Sequence, residues 1–442
     1  MTKTNRVIML MVLVMLVAVS LRIFAAVKWA GTPLEGDAVS YDNIANNLIE
    51  GHGYSRGYDT HIKPTATRGP TYVLLLASIY AIFGHNYTYV NVFQIIIDCL
   101  SCLLLFRICK RLFRRNDAAT LASFIYAIYP PFIIYTQRIL TETLIIFLST
   151  LAVSLFIDFE LFKKKSALYI CAIVIGLATL SKPILLLTPL IFYLSTIKTE
   201  KRSYRAREML VQFVLIGLVM SPWVVRNFVV FHSFIPGVTQ GGITFWGGTG
   251  PANGHVVPGV ESTLVPIPED LKERVRSATA GMSETEKDRW FYKEGLRVIK
   301  DNPARYLRVI IRKVPRLWFN LAKDEPPHLV ARTFGRVGVE TGEVGRFAIL
   351  FALGNLIAFI LAVIGIIRER PPQFSVNLLI WLIVYYTLVH MVFFSAFRYS
   401  LPVYAYLFCF SAAGIASIFA GKRKEPASAD SFRNNLLNNS HH

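Results

Sequence analysis

Apolar residues in this chain fall into runs of about bilayer-spanning length, separated by short polar connectors and by two longer polar stretches. Residues 7–27 form the first run, too long and too poorly cleavable for a simple signal peptide, and are predicted to span. Residues 28–68 are polar. The run 70–83 is apolar but short, and no basic cluster follows it. It is predicted to be a helix lying at, or dipping into, the outer interface. Spans follow at 89–107, then at 117–135 and 141–161 as a pair turned around Pro130 and Pro131. Residues 166–197 have basic clusters at both flanks, so they cross twice, with Lys182 and Pro183 as a tight turn between two short helices. Residues 209–230 lead out, 345–367 return, and 374–394 and 400–420 make the last pair.

The expectation is an all-α polytopic membrane protein with about ten transmembrane helices and interfacial helices on its outer face. Its parts are an N-terminal transmembrane region (1–230) carrying a first external loop (28–68) and an external loop (231–344). C-terminal transmembrane helices (345–420) and a polar cytoplasmic tail (421–442) complete it. Composition agrees: of 442 residues 54% are hydrophobic and only 17% charged, against about 25% in soluble domains.

Net charge is +19, which in a soluble protein would suggest nucleic acid. Here the basic residues gather in short loops, at Lys3 and Arg6, Arg107 to Arg115, Lys163 to Lys165, Lys198 to Arg207, Arg368 and Arg370, and Lys422 to Lys424. All fit one side, the cytoplasm. No nucleic-acid partner is expected. The five cysteines all sit in apolar runs. Cys99 and Cys102 have CxxC spacing without a second pair, so they read as packing residues rather than metal ligands.

Both outer stretches carry helical patterns. From Asp37, the residues Tyr41, Ile44, Ala45 and Leu48 recur on one face, opposite Asn43, Asn46, Asn47 and Glu50, and Gly51 and Gly53 stop the helix. A helix lying flat on the membrane is expected. Residues 285–320 are amphipathic and broken at Pro303 and Pro315, as an interfacial pair; 232–283, rich in Gly and Pro, read as a loop or small lid.

The chemistry sits on the outer side. Arg68-Gly69-Pro70-Thr71 puts a cation beside a helix start, where free N–H groups and the dipole bind anions. Lys63 and His61 lie just upstream. Asp37 is the best carboxylate, although Asp is equally favoured as an N-cap. Glu142 opens a span, where an acid also complements the dipole. Lys182 and Arg398 reach the same face, while Asp98, one turn after Gln94, is inside a span and reads as a polar contact between helices. Asp37, Arg68, Glu142, Lys182 and Arg398 thus map to one membrane face. Asp37 and Glu142 are the catalytic candidates, and Arg68, Lys63, Lys182 and Arg398 the phosphate-binding ones. Tyr41 and Tyr399 are assigned to substrate, with Trp246 a further guess at sugar contact. Two acids on one face are enough charge for a divalent cation, but no ligand spacing argues for one.

At these residues the chain resembles the GT-C membrane glycosyltransferases of the family 39 type, which include protein O-mannosyltransferases and the lipid A aminoarabinose transferase. The matching stretches are Gly36-Asp37-Ala38 with Tyr41, Arg68-Gly69-Pro70-Thr71-Tyr72, Thr141-Glu142, Leu180-Ser181-Lys182-Pro183, Ser221-Pro222-Trp223 to Arg226-Asn227, and Arg398-Tyr399 with Pro402. The resemblance implies transfer of a sugar from a polyprenyl-phosphate carrier to a lipid, glycan or protein acceptor on the outer face of the inner membrane, with inversion. Asp37 would be the base and Arg68 the donor-phosphate cation. This chain has Gly69-Pro70 where the family often has two prolines. It also lacks the large soluble C-terminal domain of some relatives, which leaves the acceptor open. The competing class is a flippase or transporter of a lipid-linked sugar. No internal repeat supports it.

Overall fold

The computed structural model describes residues 2–197, 199, 204–250, 269–319 and 344–419. Seventeen helices are found among them, with one short ribbon. The tail 421–442, most of the Lys198–Arg207 cluster and parts of the 231–344 loop lie outside the described residues.

The first half contains α1 (Lys3–Trp29), α2 (Asp37–Ile49), α3 (Pro70–Phe83), α4 (Tyr87–Phe113), α5 (Asn116–Ile128), α6 (Pro130–Tyr135), α7 (Glu142–Phe162), α8 (Lys165–Ser181), α9 (Thr188–Thr196) and α10 (Ala206–Phe231). Between α2 and α3 the strands β1 (Ser55–Arg56) and β2 (Lys63–Pro64) pair antiparallel. The second half contains α11 (Gly241–Gly248), α12 (Glu269–Ala278), α13 (Glu284–Asp301), α14 (Pro303–Phe319), α15 (Val344–Glu369), α16 (Gln373–Val392) and α17 (Leu401–Phe419).

Among the described residues seven helices are long and apolar enough to cross a membrane: α1, α4, α7, α10, α15, α16 and the segment Phe397–Phe419 containing α17. The other stretches expected to span are shorter or broken. Residues 117–135 divide at Tyr129, where Pro130 opens a separate helix because proline fits a first turn but not an interior. Residues 166–197 divide at Lys182, which is extended, followed by a 3₁₀ turn Pro183–Leu187.

Three local expectations are corrected. Pro315 does not break its helix: α14 runs through it, giving up a single backbone hydrogen bond. Residues 232–283 are not all loop, since α11 and α12 lie within them. The polar face of α2 does not lie open on the membrane surface. Asn43 and Asn47 are buried, donating to the Gly57 carbonyl at 3.0 and 3.2 Å, so they hold the β-ribbon against the helix.

The core is built around α17, whose side chains from Leu401 to Phe410 are almost all buried. It packs along α15 and against α4, α5 and α7. The α15 contact is backbone on backbone: a Cβ on Gly414 would stand 2.0 Å from the Leu361 oxygen, and one on Gly365 2.2 Å from the Phe410 oxygen. With no water to expel between lipid-embedded helices, such small residues supply the close van der Waals contact. Outward faces stay apolar, as at Leu13 and Leu16 of α1 and Leu218 of α10.

One ion pair lies wholly inside this bundle. Arg22 of α1 donates from Nε to Asp98 of α4 at 2.5 Å, and from a terminal nitrogen to the Ala127 carbonyl at 2.8 Å. Tyr126 donates to the other Asp98 oxygen at 2.6 Å. Asp98 is therefore the cross-helix contact anticipated, with the two charges paired to each other and one Arg22 terminal nitrogen left without a hydrogen-bond partner. Removing one partner strands the other in an apolar interior. Asp98→Leu should cost about 3–5 kcal/mol, and the double variant Arg22→Met/Asp98→Leu should recover most of it. Unfolding of the detergent-solubilised protein would test this; equal loss in both variants would contradict it.

Candidate functional site

Five of the residues singled out in the sequence meet at one place. Asp37 is the first residue of α2, following Gly36 at φ 58°, a turn that L side chains rarely make. Arg68 precedes α3 by two residues, Glu142 opens α7, Lys182 separates α8 from the 3₁₀ turn, and Arg398 lies in a 3₁₀ turn before α17. All are element boundaries, where side chains can converge without interrupting a helix.

The geometry is a chain of alternating charge. Arg68 donates to Asp37 Oδ1 at 2.8 Å and Arg398 to Asp37 Oδ2 at 3.0 Å. Arg398 Nε also lies 3.5 Å from Glu142 Oε1, and Lys182 donates to that same oxygen at 3.0 Å. Three cations therefore face two carboxylates, leaving one excess positive charge in a half-buried pocket.

Arg68 is fixed on every side. Its Nε donates to Ser40 Oγ at 3.2 Å and a terminal nitrogen to Gln240 at 2.8 Å. Its guanidinium lies 5.0 Å from the Tyr41 ring centre. Burial alone would raise the Asp37 carboxyl, but Arg68 and then Arg398 outweigh it and hold it well below the usual carboxylate range. Asp37 is thus ionised at neutral pH. Tyr41 is pushed up to about 12 by burial, so its phenol stays neutral.

Tyr399 joins the group. It accepts from Arg398 at 3.2 Å, and the Lys182 ammonium lies 4.5 Å from its ring centre. Tyr41, by contrast, is buried edge-on against Tyr72 and serves as the floor beneath Arg68. Lys63 and His61 are exposed at and beside the ribbon, apart from these charges among the described residues. Trp246 is buried against Phe291 in a separate cluster. A divalent cation between Asp37 and Glu142 would displace Arg398, which already neutralises both acids. Among the described residues no group of three His, Cys, Asp or Glu side chains stands ready to hold a metal.

Sequence reasoning missed Gln240 and Glu284, which tether the site, and met Arg226 only as part of a family match. Gln240 carries no local pattern. Glu284, at the start of α13, accepts from the Thr65 hydroxyl and the Ala66 amide at 2.8 Å each, and from the Thr239 hydroxyl. Arg226 of α10 donates to the Thr65 and Tyr54 carbonyls at 2.8 and 2.7 Å. These bonds tie the loop before Arg68 to α10 and α13. The amphipathic α13 therefore does more than rest at an interface.

Residues 67–225 match the family model of the dolichyl-phosphate-mannose-protein mannosyltransferases. That range holds Arg68, Glu142 and Lys182. No curated protein sequence matches significantly. Among solved structures, the Archaeoglobus fulgidus oligosaccharyltransferase in complex with zinc and sulfate has TM-score 0.51 and 18% identity, over 93% of this chain and 49% of that one. The same archaeal enzyme, AglB, in complex with an inhibitory peptide and a dolichol-phosphate gives TM-score 0.51 and 15% identity, over 98% and 54%. The chain has the GT-C glycosyltransferase fold. It spans about half the length of the archaeal enzymes it matches. ArnT from Cupriavidus metallidurans bound to undecaprenyl phosphate, at TM-score 0.45, 11% identity and 92% and 78% coverage, aligns too weakly to add to that assignment.

The GT-C chain's departure at Gly69 now has a cause. A Cβ there would stand 1.8 Å from the Leu180 carbonyl oxygen. The α3 start and the α8 end touch backbone to backbone, which brings Arg68 and Lys182 to one pocket, and Thr71 clamps the contact by donating to the Leu177 carbonyl at 2.7 Å. Gly69→Ala should therefore force the two segments apart at a cost of about 1–3 kcal/mol while leaving helix content intact. Thermal melting followed by circular dichroism would check this; an unchanged midpoint would show that the contact tolerates displacement.

Proposed function

We propose that this GT-C chain is a membrane glycosyltransferase that moves a sugar from a polyprenyl-phosphate carrier to an acceptor on the outer face of the membrane, with inversion at the sugar carbon. The observation that carries the reading is the Arg68–Asp37–Arg398–Glu142–Lys182 chain, in which carboxylate and phosphate-binding functions share one pocket. The mannosyltransferase family match and the dolichol-phosphate held by the archaeal enzyme of like fold support it.

The donor phosphate brings negative charge to a pocket with one excess cation. Arg68, Arg398 and Lys182 share their N–H donors with it, and each bond so diverted loosens the grip on Asp37. The proton affinity of Asp37 therefore rises as the donor arrives. Asp37 then takes a proton from the acceptor hydroxyl or amine as that atom attacks the anomeric carbon from the face opposite the phosphate. The carbon–oxygen bond to phosphate breaks, its electron pair leaves with the polyprenyl phosphate, and the three cations stabilise that charge. Glu142, buried and bonded to two of the cations, keeps them aimed. Tyr399 fixes Arg398 and Lys182 and borders the sugar position.

Purified protein in liposomes should form glycosidic product from a polyprenyl-phosphate sugar and none from a nucleotide sugar. Asp37→Asn keeps size but not charge or basicity, so turnover should fall about 100-fold or more while helix content is kept. Arg68→Ala should weaken donor use by roughly 1.5–3 kcal/mol. Translocation of the lipid-linked sugar without product, in wild type and Asp37→Asn alike, would make the chain a transporter instead.

A further inference from the structure

The cations of this pocket suit a phosphate, but a sugar presents hydroxyl groups, which need acceptors. His390, in the last turn of α16, carries one. Its Nδ1 lies 2.9 Å from the Phe394 carbonyl oxygen. A carbonyl only accepts, so Nδ1 holds the proton and the neutral ring leaves a lone pair at Nε2. The residue is 8% exposed, and Nε2 has no hydrogen-bond partner. The ring lies nearly flat on Tyr399, with centroids 4.8 Å apart and planes 9° apart. Tyr399 is the side chain that contacts Arg398 and Lys182, so the lone pair sits one ring away from the phosphate cations.

The turn carrying His390 is anchored. Buried Lys313 of α14 donates to the Met391 and Phe393 carbonyls at 2.8 and 3.0 Å, satisfying the open end of α16. Ser395 donates back to the Lys313 carbonyl at 3.3 Å. A second buried acceptor without a partner, Glu142 Oε2, borders the same cations. Unpaired buried acceptors are expensive, and two of them flanking one cation cluster match a ligand that carries phosphate and hydroxyls together.

We propose that His390 is a substrate-contacting residue whose Nε2 accepts a hydrogen bond from a hydroxyl of the donor's sugar. This rests on the transfer of a lipid-linked sugar by the same pocket. His390→Phe keeps a flat ring against Tyr399 and removes the acceptor. With undecaprenyl-phosphate-mannose as donor, its KM should rise about tenfold, the size of one neutral hydrogen bond left unmade. Inhibition by undecaprenyl phosphate, which has no sugar, should stay at the wild-type level.

Equal weakening of both lipids would mean that His390 acts only by packing Tyr399. A rise confined to the acceptor's KM, or no change at all, would likewise overturn the assignment. A measurement on the wild type covers a variant that fails to fold. In protein labelled with ¹⁵N-histidine, undecaprenyl-phosphate-mannose should move one unprotonated Nε2 signal and undecaprenyl phosphate should leave it in place. No movement with the sugar lipid would overturn the proposal. A wild type that binds this lipid with that shift but forms no glycosidic product would sink the transferase reading and leave the sugar contact standing.

Discussion

Everything at the charged end of this bundle depends on holding five ionisable side chains together in a half-buried pocket. Like charges are kept apart by interleaving: Asp37 separates Arg68 from Arg398, and Glu142 separates Arg398 from Lys182. Each carboxylate touches two cations and one cation touches both carboxylates. Such an arrangement survives partial desolvation because every charge has an opposite neighbour at bonding distance. One cation remains in excess, so the cluster as a whole carries net positive charge.

The helices supply that backbone rigidity through close approach rather than through polar contacts. Gly69 lets the α3 start rest on the Leu180 carbonyl, and the Gly365–Gly414 contact seats α17 against α15 in the bundle centre. The first brings Arg68 and Lys182 together; the second fixes the helix that follows Arg398. Inside the bundle, Arg22 and Asp98 form a separate pair with Tyr126, in which one Arg22 terminal nitrogen lacks a partner. It lies apart from the charged pocket, and its burial between helices fits a structural cross-link.

The second long polar stretch, together with the end of α10, turns out to be part of the same machine. Glu284 and Arg226 bind the loop before Arg68 from opposite elements, Gln240 bonds the Arg68 guanidinium, and Lys313 clamps the helix end that carries His390. Arg226, Gln240, Glu284 and Lys313 thus set the orientation of groups contributed by residues 37–68 and 390–399. Composition had suggested only an interfacial surface there, because aromatic and basic residues interleave in both roles.

The sequence by itself determined the class of the molecule and most helix limits. Run length and polarity act locally: each apolar run must satisfy its own backbone in a helix whatever its neighbours do. Pro70 marks a helix start that the structure keeps, for the same local reason. The site was legible as a set of charges on one face, including Asp37 and Arg398, 361 residues apart. Which charges meet was not. Lys63, five residues before Arg68, stays out at the ribbon, while Gln240 and His390, with no motif of their own, stand beside the pocket. Those choices depend on how helices seat against one another, through backbone contacts such as Gly69 on Leu180. A contact between distant segments leaves no period or spacing in the chain, so only the tertiary structure decides it.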